Sequence, residues 1–129
     1  MSTDSSPLSS AARDNQANAA GGLWLVQAFT GLLLVSLLFL HMIAHHFVVE
    51  GGLRTFEDVV AYISNPFIFV IELVFLVVVT LHALLGVRAI VLDVAPRPMV
   101  LRVVNVVLVI IGVACITYGA WLALVLQRL

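Results

Sequence analysis

Three long apolar runs dominate this sequence and decide what kind of fold it can adopt. Each run contains at most two charged residues, and the runs cover residues 23–47, 66–92 and 99–126. At about 1.5 Å of rise per residue, each is long enough as a helix to cross a bilayer core of about 30 Å with some tilt. The runs predict an all-α membrane protein with three transmembrane helices.

The composition excludes several other classes of protein. Charged residues make up 10% of the chain, whereas soluble domains average about 25%. The net charge of −1 gives no indication of a nucleic-acid partner. A single cysteine, Cys115, excludes an internal disulfide and a zinc-finger pattern. The segments outside the three runs are too short to form a soluble catalytic domain.

The residues before the first run form a separate segment. Residues 1–22 are rich in Ser, Ala, Asn and Gly and poor in large apolar residues, so we predict a flexible tail that does not fold alone. No positively charged start directly precedes the first run, so this run is predicted to be a retained helix and not a cleaved signal. The membrane-anchor domain is then residues 23–126.

A short interfacial helix is predicted in the loop between the first and second runs. Thr55 and Asp58 have the spacing of a capping box, which predicts a helix over about residues 55–63. Asn65 and Pro66 then begin the second run, with the asparagine as the cap and the proline in the first turn.

Basic residues predict the orientation of the chain. Arg88, Arg97 and Arg102 cluster around the link at residues 93–98, whereas the loop at residues 48–65 has one arginine against three acidic residues. The positive-inside rule places the amino-terminal tail and the link in the cytoplasm, and the loop and the carboxyl terminus outside. The chain is therefore predicted to be a multi-pass protein of the cytoplasmic (inner) membrane.

Ionisable side chains inside a membrane are costly, which makes them candidates for function. His82, Gly86 and Asp93 lie on one stripe of the second helix. Imidazole is a common axial haem ligand, and Gly86, one turn away, leaves room for a flat macrocycle. Arg88 is placed to pair with a haem propionate. The alternative is that His82 hydrogen-bonds to a neighbouring helix and that Gly86 is a close-packing contact.

Three further histidines lie near the end of the first run. His41 and His45 share one helix face, a spacing that can also bind zinc or copper, whereas His46 points in another direction. At about 1.5 Å of rise per residue, His41 and His82 lie at depths that differ by about 12 Å along the membrane normal. One haem therefore cannot take both as ligands, although two stacked haems could take one each. Alternatively, His45 and His46 are interfacial residues at the helix end.

Other polar side chains near the membrane surfaces are also candidates for a functional role. Glu72 is predicted to snorkel to the interface, and a proton relay is the alternative. Trp24, Gln27 and Thr30 lie at the start of the first helix, where they can line a headgroup site, although tryptophan is also a common interface anchor.

The third helix is predicted to be structural. Cys115, Gly119 and Ala123 form a stripe of small residues suited to close helix packing. Tyr118 and Trp121 fit an aromatic belt. Because three helices bury few polar groups, we predict that they form half of a heterodimeric bundle completed by a second membrane subunit.

The second-helix motif resembles a known family. Residues 82–93 match the pattern H-x3-G-x-R-x4-D found in membrane-anchor subunits of succinate dehydrogenase. Four segments of the first run resemble the first helix of these subunits: Trp24-Leu25-Val26-Gln27, Thr30-Gly31, His41-Met42 and His45-His46-Phe47. Tyr118-Gly119 fits the third helix, and the resemblance spans about residues 23–126.

The resemblance implies a role in respiratory complex II. There a flavoprotein oxidises succinate, an iron–sulfur subunit carries electrons, and two small anchors in the lipid bilayer bind haem b and quinone. This chain would be a non-catalytic anchor in which His82 ligates the haem nearer the iron–sulfur subunit. In two-haem members a first-helix histidine, His46 or else His41, would ligate the outer haem. Asp93 would lie at the quinone site with Trp24 and Gln27.

Two positions depart from the family pattern. Many D-type anchors have a quinone-contacting tyrosine after the aspartate, where this chain has Val94. Arg88 is more typical of C-type anchors, but the resemblance favours the D type. Fumarate reductases share this anchor design.

Two other hypotheses stay open. One is a haem-free anchor or assembly subunit of a fumarate reductase or another respiratory oxidoreductase. The other is a small proton-relay or transport subunit, which three helices without repeats or broken segments disfavour.

Overall fold

The computed structural model is a bundle of helices and describes residues 7–48, 51–52, 55–94 and 97–129. The elements are α1 (Pro7–Ile43), a π-helical turn (Ala44–Val48), α2 (Phe56–Ser64), α3 (Pro66–Val94) and α4 (Pro98–Gln127). No strand occurs in the described ranges. Three stretches are long and apolar enough to cross a membrane, namely Gly21–Phe47, Pro66–Val94 and Pro98–Gln127. The predicted all-α class with three membrane helices is confirmed.

α1 begins well before the predicted start of the first membrane helix at residue 23. Pro7 occupies its first turn, where a missing N–H costs nothing, and the alanine-rich stretch over residues 11–20 favours helix. The membrane-crossing part starts at Gly21, close to the predicted boundary. That the tail is flexible and cytoplasmic stays a prediction.

The predicted caps of the loop helix and of α3 are confirmed. The backbone N–H of Asp58 donates to the Thr55 hydroxyl at 3.2 Å, and the Thr55 N–H donates to the Asp58 carboxylate at 2.9 Å. The Asn65 side-chain oxygen accepts from the N–H of Phe67 at 3.0 Å and so caps α3. Parts of the loop and link, including Arg54 and Ala95-Pro96, lie outside the described residues, as does the side chain of Arg13.

α3 lies between α1 and α4 and is antiparallel to both. Thr30 and His41 of α1 contact His82 and Glu72 of α3 in reverse order along the chain. We call the end of the bundle near residues 93–98 the link end, and the end near residues 48–65 the loop end.

Glycines set the close approach of α4 to α3. A Cβ atom at Gly112 would lie 2.6 Å from a methyl group of Leu84, and one at Gly119 would lie 2.7 Å from a methyl group of Leu76. Of the predicted small-residue stripe, Gly119 meets α3, whereas Cys115 is exposed within this chain. Gly112 lies seven residues before Gly119, which is nearly two helical turns, so both glycines lie on the face that meets α3.

Few of the side chains that the structure describes are buried. The buried hydrophobic residues are Leu37, Tyr62, Ile63, Ile68 and Val78. Tyr118 and Trp121 are exposed with their rings 5.9 Å apart, as an aromatic belt requires. A helical bundle with this much exposed apolar surface needs lipid or another membrane subunit to cover it.

Candidate functional site

His82 lies at the contact between α3 and α1. Its Nδ1 atom is 3.2 Å from the hydroxyl of Thr30, and its Nε2 atom is 3.5 Å from the amide nitrogen of Gln27. A Cβ atom on Gly31 would lie 3.1 Å from Cε1 of His82. The glycine therefore lets the imidazole fit between the two helices.

The partners of Thr30 determine the tautomer of His82. The Thr30 hydroxyl directs its one hydrogen at backbone carbonyls of its own helix, with Val26 O at 2.7 Å. It therefore accepts a hydrogen bond from His82, so the proton of the neutral imidazole is on Nδ1. The lone pair is then on Nε2, which is the arrangement of a metal-ligating histidine whose other nitrogen is held by a hydrogen bond.

The hydrogen bonds of Gln27 are the least complete in this cluster. Its amide nitrogen lies at the outer limit of a hydrogen bond to His82 Nε2, and its buried Oε1 has no hydrogen-bond partner among the described residues. The amide nitrogen would also lie 3.4 Å from a Cβ atom on Gly86. Gln27 thus fills the space beside Gly86 that the sequence assigned to a macrocycle.

The donor set of this cluster fits a haem iron. The imidazole is oriented through Nδ1, its Nε2 lone pair has only a long contact, and Gly31 on α1 lies against the ring. The Gln27 side chain occupies the space beside Gly86, so a macrocycle there requires that side chain to turn away. The alternative role for His82, a hydrogen bond to a neighbouring helix, is also present. It is the bond to Thr30, which is compatible with either role.

The other predicted site residues near the link end do not join His82. Arg88 donates from Nε to the side-chain oxygen of Asn105 on α4 at 3.1 Å. It lines an apolar groove of about 410 Å³ between α3 and α4. Trp24 is 69% exposed, and Asp93 is exposed at the end of α3.

A second polar cluster lies at the loop end, around Glu72. The Tyr62 hydroxyl donates to Glu72 Oε1 at 2.6 Å, and Nδ1 of His41 lies 2.8 Å from the same oxygen and 2.9 Å from Oε2. His45 Nε2 is 3.9 Å from Oε1. These side chains hold the Glu72 carboxylate at the loop end of the bundle, and its snorkelling to the interface stays a prediction.

The local backbone explains how this cluster forms. α1 changes to a π-helical turn at Ala44, and the ring of His45 packs 4.0 Å from the ring of His41. The two histidines lie together, as their spacing predicted, whereas His46 is exposed outside the cluster.

Tyr62 is the site residue that sequence reasoning missed. Burial and the hydrogen bond to Glu72 raise the pKa of Tyr62, so its phenol stays protonated. The sequence offered one signal. Tyr62 lies on the short helix α2, a few residues before the start of α3, which carries Glu72.

The two clusters occupy different depths. Ten residues of α3 separate Glu72 from His82, which corresponds to about 15 Å at 1.5 Å per residue. The intervening residues of α1 and α3 are apolar apart from Ser36 and Thr80. This separation agrees with the expectation that one haem cannot use both His41 and His82.

Comparison with known proteins identifies the family. Residues 2–120 match the family described as "Succinate dehydrogenase/Fumarate reductase transmembrane subunit". The chain belongs to this family. The resemblance read from the second-helix motif is therefore confirmed.

Two relatives show how far the similarity to this transmembrane-subunit family extends. The succinate dehydrogenase hydrophobic membrane anchor subunit of Thermoplasma acidophilum is 31% identical over 103 residues, which cover 80% of this chain and 84% of the relative. The protein of the same name from Archaeoglobus fulgidus is 36% identical over 70 residues, which cover 54% of this chain and 59% of the relative. No solved structure matches the chain.

Proposed function

We propose that this chain is the hydrophobic membrane-anchor subunit of a succinate dehydrogenase, or respiratory complex II. In this role it binds haem b and helps electrons pass from an iron–sulfur subunit to quinone. Family membership supports the anchor role, and both relatives carry that name. The single observation that supports the haem role is the His82–Thr30 hydrogen bond, which leaves the lone pair on Nε2.

His82 is the proposed axial ligand. Bound haem supplies a one-electron carrier at this depth. Thr30 fixes the orientation of the imidazole by accepting from Nδ1–H. Gly31 leaves room for the imidazole between the two helices, and Gly86 adds no side chain of its own to the space that Gln27 occupies. The pairing of Arg88 with a propionate stays a prediction, and in the structure Arg88 bonds to Asn105 of α4.

Gln27 is the best supported of the three proposed quinone contacts. Its buried Oε1 has no partner among the described residues, and such an acceptor costs about 1–3 kcal/mol unless a donor is supplied. The hydroxyl of a quinol is a suitable donor. Trp24 and Asp93 lie exposed at the same end of the bundle. Val94 offers no hydroxyl, so this chain makes no tyrosine contact to quinone at that position.

A second haem, if the complex holds one, would use His46 and not His41. His46 is exposed and accessible to a partner chain, whereas His41 is held by Glu72 and packs against His45. The proposed partners are a second membrane anchor, the iron–sulfur subunit, the flavoprotein subunit and the surrounding lipids. The link end would face the cytoplasm and the iron–sulfur subunit, as the arginines of that end indicate.

The test is the haem content of the purified complex. We expect the reduced-minus-oxidised spectrum and the extracted haem to show b-type haem that is lost or strongly reduced in His82→Ala. Val87→Ala, on the exposed side of the same helix, is the matched control and should keep the haem. Unchanged haem in His82→Ala would contradict the assignment.

A haem-free anchor is the second candidate, and a specific observation favours it. His82 is already bonded to Thr30 and contacts Gln27, which suffices for an interhelical role. This candidate predicts a complex whose reduced-minus-oxidised spectrum shows no b-type haem and in which His82→Ala weakens assembly. A proton-relay or transport subunit is disfavoured, since the apolar layer between the clusters interrupts any relay among the described residues.

A further inference from the structure

An apolar groove on the surface of the bundle ends at a charged side chain. The groove lies between α3 and α4 and has a volume of about 410 Å³, within the range of ligand-binding sites. Leucine, valine and isoleucine side chains and one glycine line it, and its polar lining residues among those that the structure describes are Arg88 and Asn105. Val109 and Val113, which also line it, are 64% and 62% exposed, so the groove is open to the surroundings of the two helices.

The length of the groove matches the hydrocarbon depth of one lipid leaflet. On α4 its lining extends from Asn105 to Ile116, which corresponds to about 16 Å at 1.5 Å of rise per residue. Half of a bilayer core of about 30 Å is about 15 Å. One hydrocarbon chain therefore fits along the groove, from the polar residues toward the middle of the membrane.

The polar end of the groove carries positive charge without a counter-charge. Arg88 donates from Nε to the side-chain oxygen of Asn105 at 3.1 Å, and no carboxylate pairs with it among the described residues. Its terminal nitrogens keep the fork of donors that matches two oxygens of a phosphate. Arg102 lies three residues before Asn105 on α4, so it extends the same face toward the link end. Because an arginine near the membrane without a counter-ion is costly, an anion is the expected partner.

Arg88 also lies at a suitable depth for a lipid headgroup. Six residues separate it from Val94 at the end of α3, which corresponds to about 9 Å. A long arginine side chain spans much of this distance, since it keeps its stem against apolar surface and its guanidinium near the interface.

We propose that the groove between α3 and α4 binds an anionic phospholipid of the link-end leaflet. One hydrocarbon chain lies along the groove, and the phosphate accepts hydrogen bonds from Arg88. Asn105 is a positioning residue, because it accepts from Nε and so holds the guanidinium at the end of the groove. This site does not depend on the haem or quinone roles proposed above, and in it Arg88 serves the lipid and not a haem propionate.

Charge distinguishes this lipid from the other possible occupants of the groove. A quinone ring is neutral and gives Arg88 no counter-charge. A helix of another membrane subunit would need an acidic side chain opposite Arg88. An anionic phospholipid supplies both the apolar chain and the negative charge, and basic residues near a membrane surface attract such lipids.

The experiment labels the groove in the intact complex with a photoreactive lipid. The complex is purified in detergent, washed free of endogenous lipid and incubated with phosphatidylglycerol that carries a diazirine in one acyl chain. After illumination, mass spectrometry maps the labelled peptides. We expect label on the groove residues of α3 and α4, and we expect unlabelled phosphatidylglycerol to compete at least tenfold better than phosphatidylcholine. Arg88→Gln removes the charge, and Val109→Trp fills the groove, so each should lower this label at least tenfold.

Two matched variants control for charge and bulk. Arg97→Gln removes an exposed arginine at the start of α4 that does not line the groove. Val107→Trp adds the same ring on α4 at a position that is 46% exposed and outside the lining. Both should keep the label within about twofold of wild type. Size-exclusion chromatography checks assembly, and the two tryptophan variants decide the matter if Arg88→Gln fails to assemble.

Three results would overturn the proposal. The first is a groove that takes no label in wild type, as a covering helix of another subunit would produce. The second is equal competition by phosphatidylcholine and phosphatidylglycerol. The third is an Arg88→Gln complex that keeps the label but loses b-type haem from its reduced-minus-oxidised spectrum, which would assign Arg88 to a propionate.

Discussion

Thr30 on α1 accepts a hydrogen bond from His82 on α3, with 3.2 Å between the hydroxyl oxygen and Nδ1. The threonine can only accept, because its hydrogen is directed at the carbonyl oxygen of Val26, 2.7 Å away. One side-chain contact thus joins two helices, selects the tautomer of the imidazole and leaves Nε2 as the nitrogen with a lone pair. Packing and the proposed chemistry therefore rest on the same bond.

Thr30→Val tests that bond. Valine keeps the volume but leaves the Nδ1–H of His82 without an acceptor, which should cost about 1–3 kcal/mol of stability. We expect a lower melting temperature of the complex and a shifted haem potential, measured by calorimetry and redox titration. Ser36→Ala removes an exposed hydroxyl from the same helix and should change stability by less than about 0.5 kcal/mol. Equal melting temperatures for the two variants would show that the Thr30 hydrogen bond does not stabilise the complex.

Gly31→Ala tests the space around the imidazole. The added methyl group would lie 3.1 Å from Cε1 of His82, so the ring or the helix must shift. We expect less haem in the purified complex and a broader haem spectrum. Gly22→Ala is the control, since a Cβ atom there has nothing within 4 Å. It should leave haem content unchanged and slightly favour helix. A normal haem spectrum in Gly31→Ala would argue against His82 as the ligand.

Local chemistry made the helices and their caps predictable. Thr55, Asp58 and Asn65 take the capping roles that their spacing indicated, because these contacts lie within a few residues of one another. The three membrane helices follow from hydropathy alone. The extension of α1 to Pro7 was missed, since a segment too polar to fold alone can still continue an existing helix.

Contacts between helices could not be read from the sequence. The helix spacing placed His41 and His45 on one face, but the reach of Tyr62 from α2 to Glu72 depends on how α2 folds against the bundle. The stripe through Cys115 was equally plausible as one through Gly112, because periodicity does not say which face meets α3. Residue types and helix positions were predictable, whereas partner choice across helices was not.

The α3–α4 contact supplies a prediction about packing. A side chain at Gly119 would meet Leu76, with even a Cβ atom only 2.7 Å from a methyl group. We expect Gly119→Val to overpack the contact and cost about 1–3 kcal/mol. Cys115→Val introduces the same side chain at an exposed position one turn earlier and should be close to neutral. Thermal unfolding of the two variants in the same detergent makes the comparison. Similar melting temperatures would place the helix contact elsewhere.

Tyr62→Phe tests the docking of α2 onto the bundle. The change removes the hydrogen bond to Glu72 but keeps the buried ring, so the loss should be about 1–3 kcal/mol. Because α2 is short and the bond joins it to α3, we expect faster amide hydrogen exchange across Phe56–Ser64 and little change in the core of α3. Phe56→Ala alters a side chain that is 60% exposed on the same helix, and it should leave the exchange of the later α2 amides nearly unchanged. If Tyr62→Phe exchanges at the wild-type rate, other contacts hold α2 in place, and the phenol serves only to orient the Glu72 carboxylate.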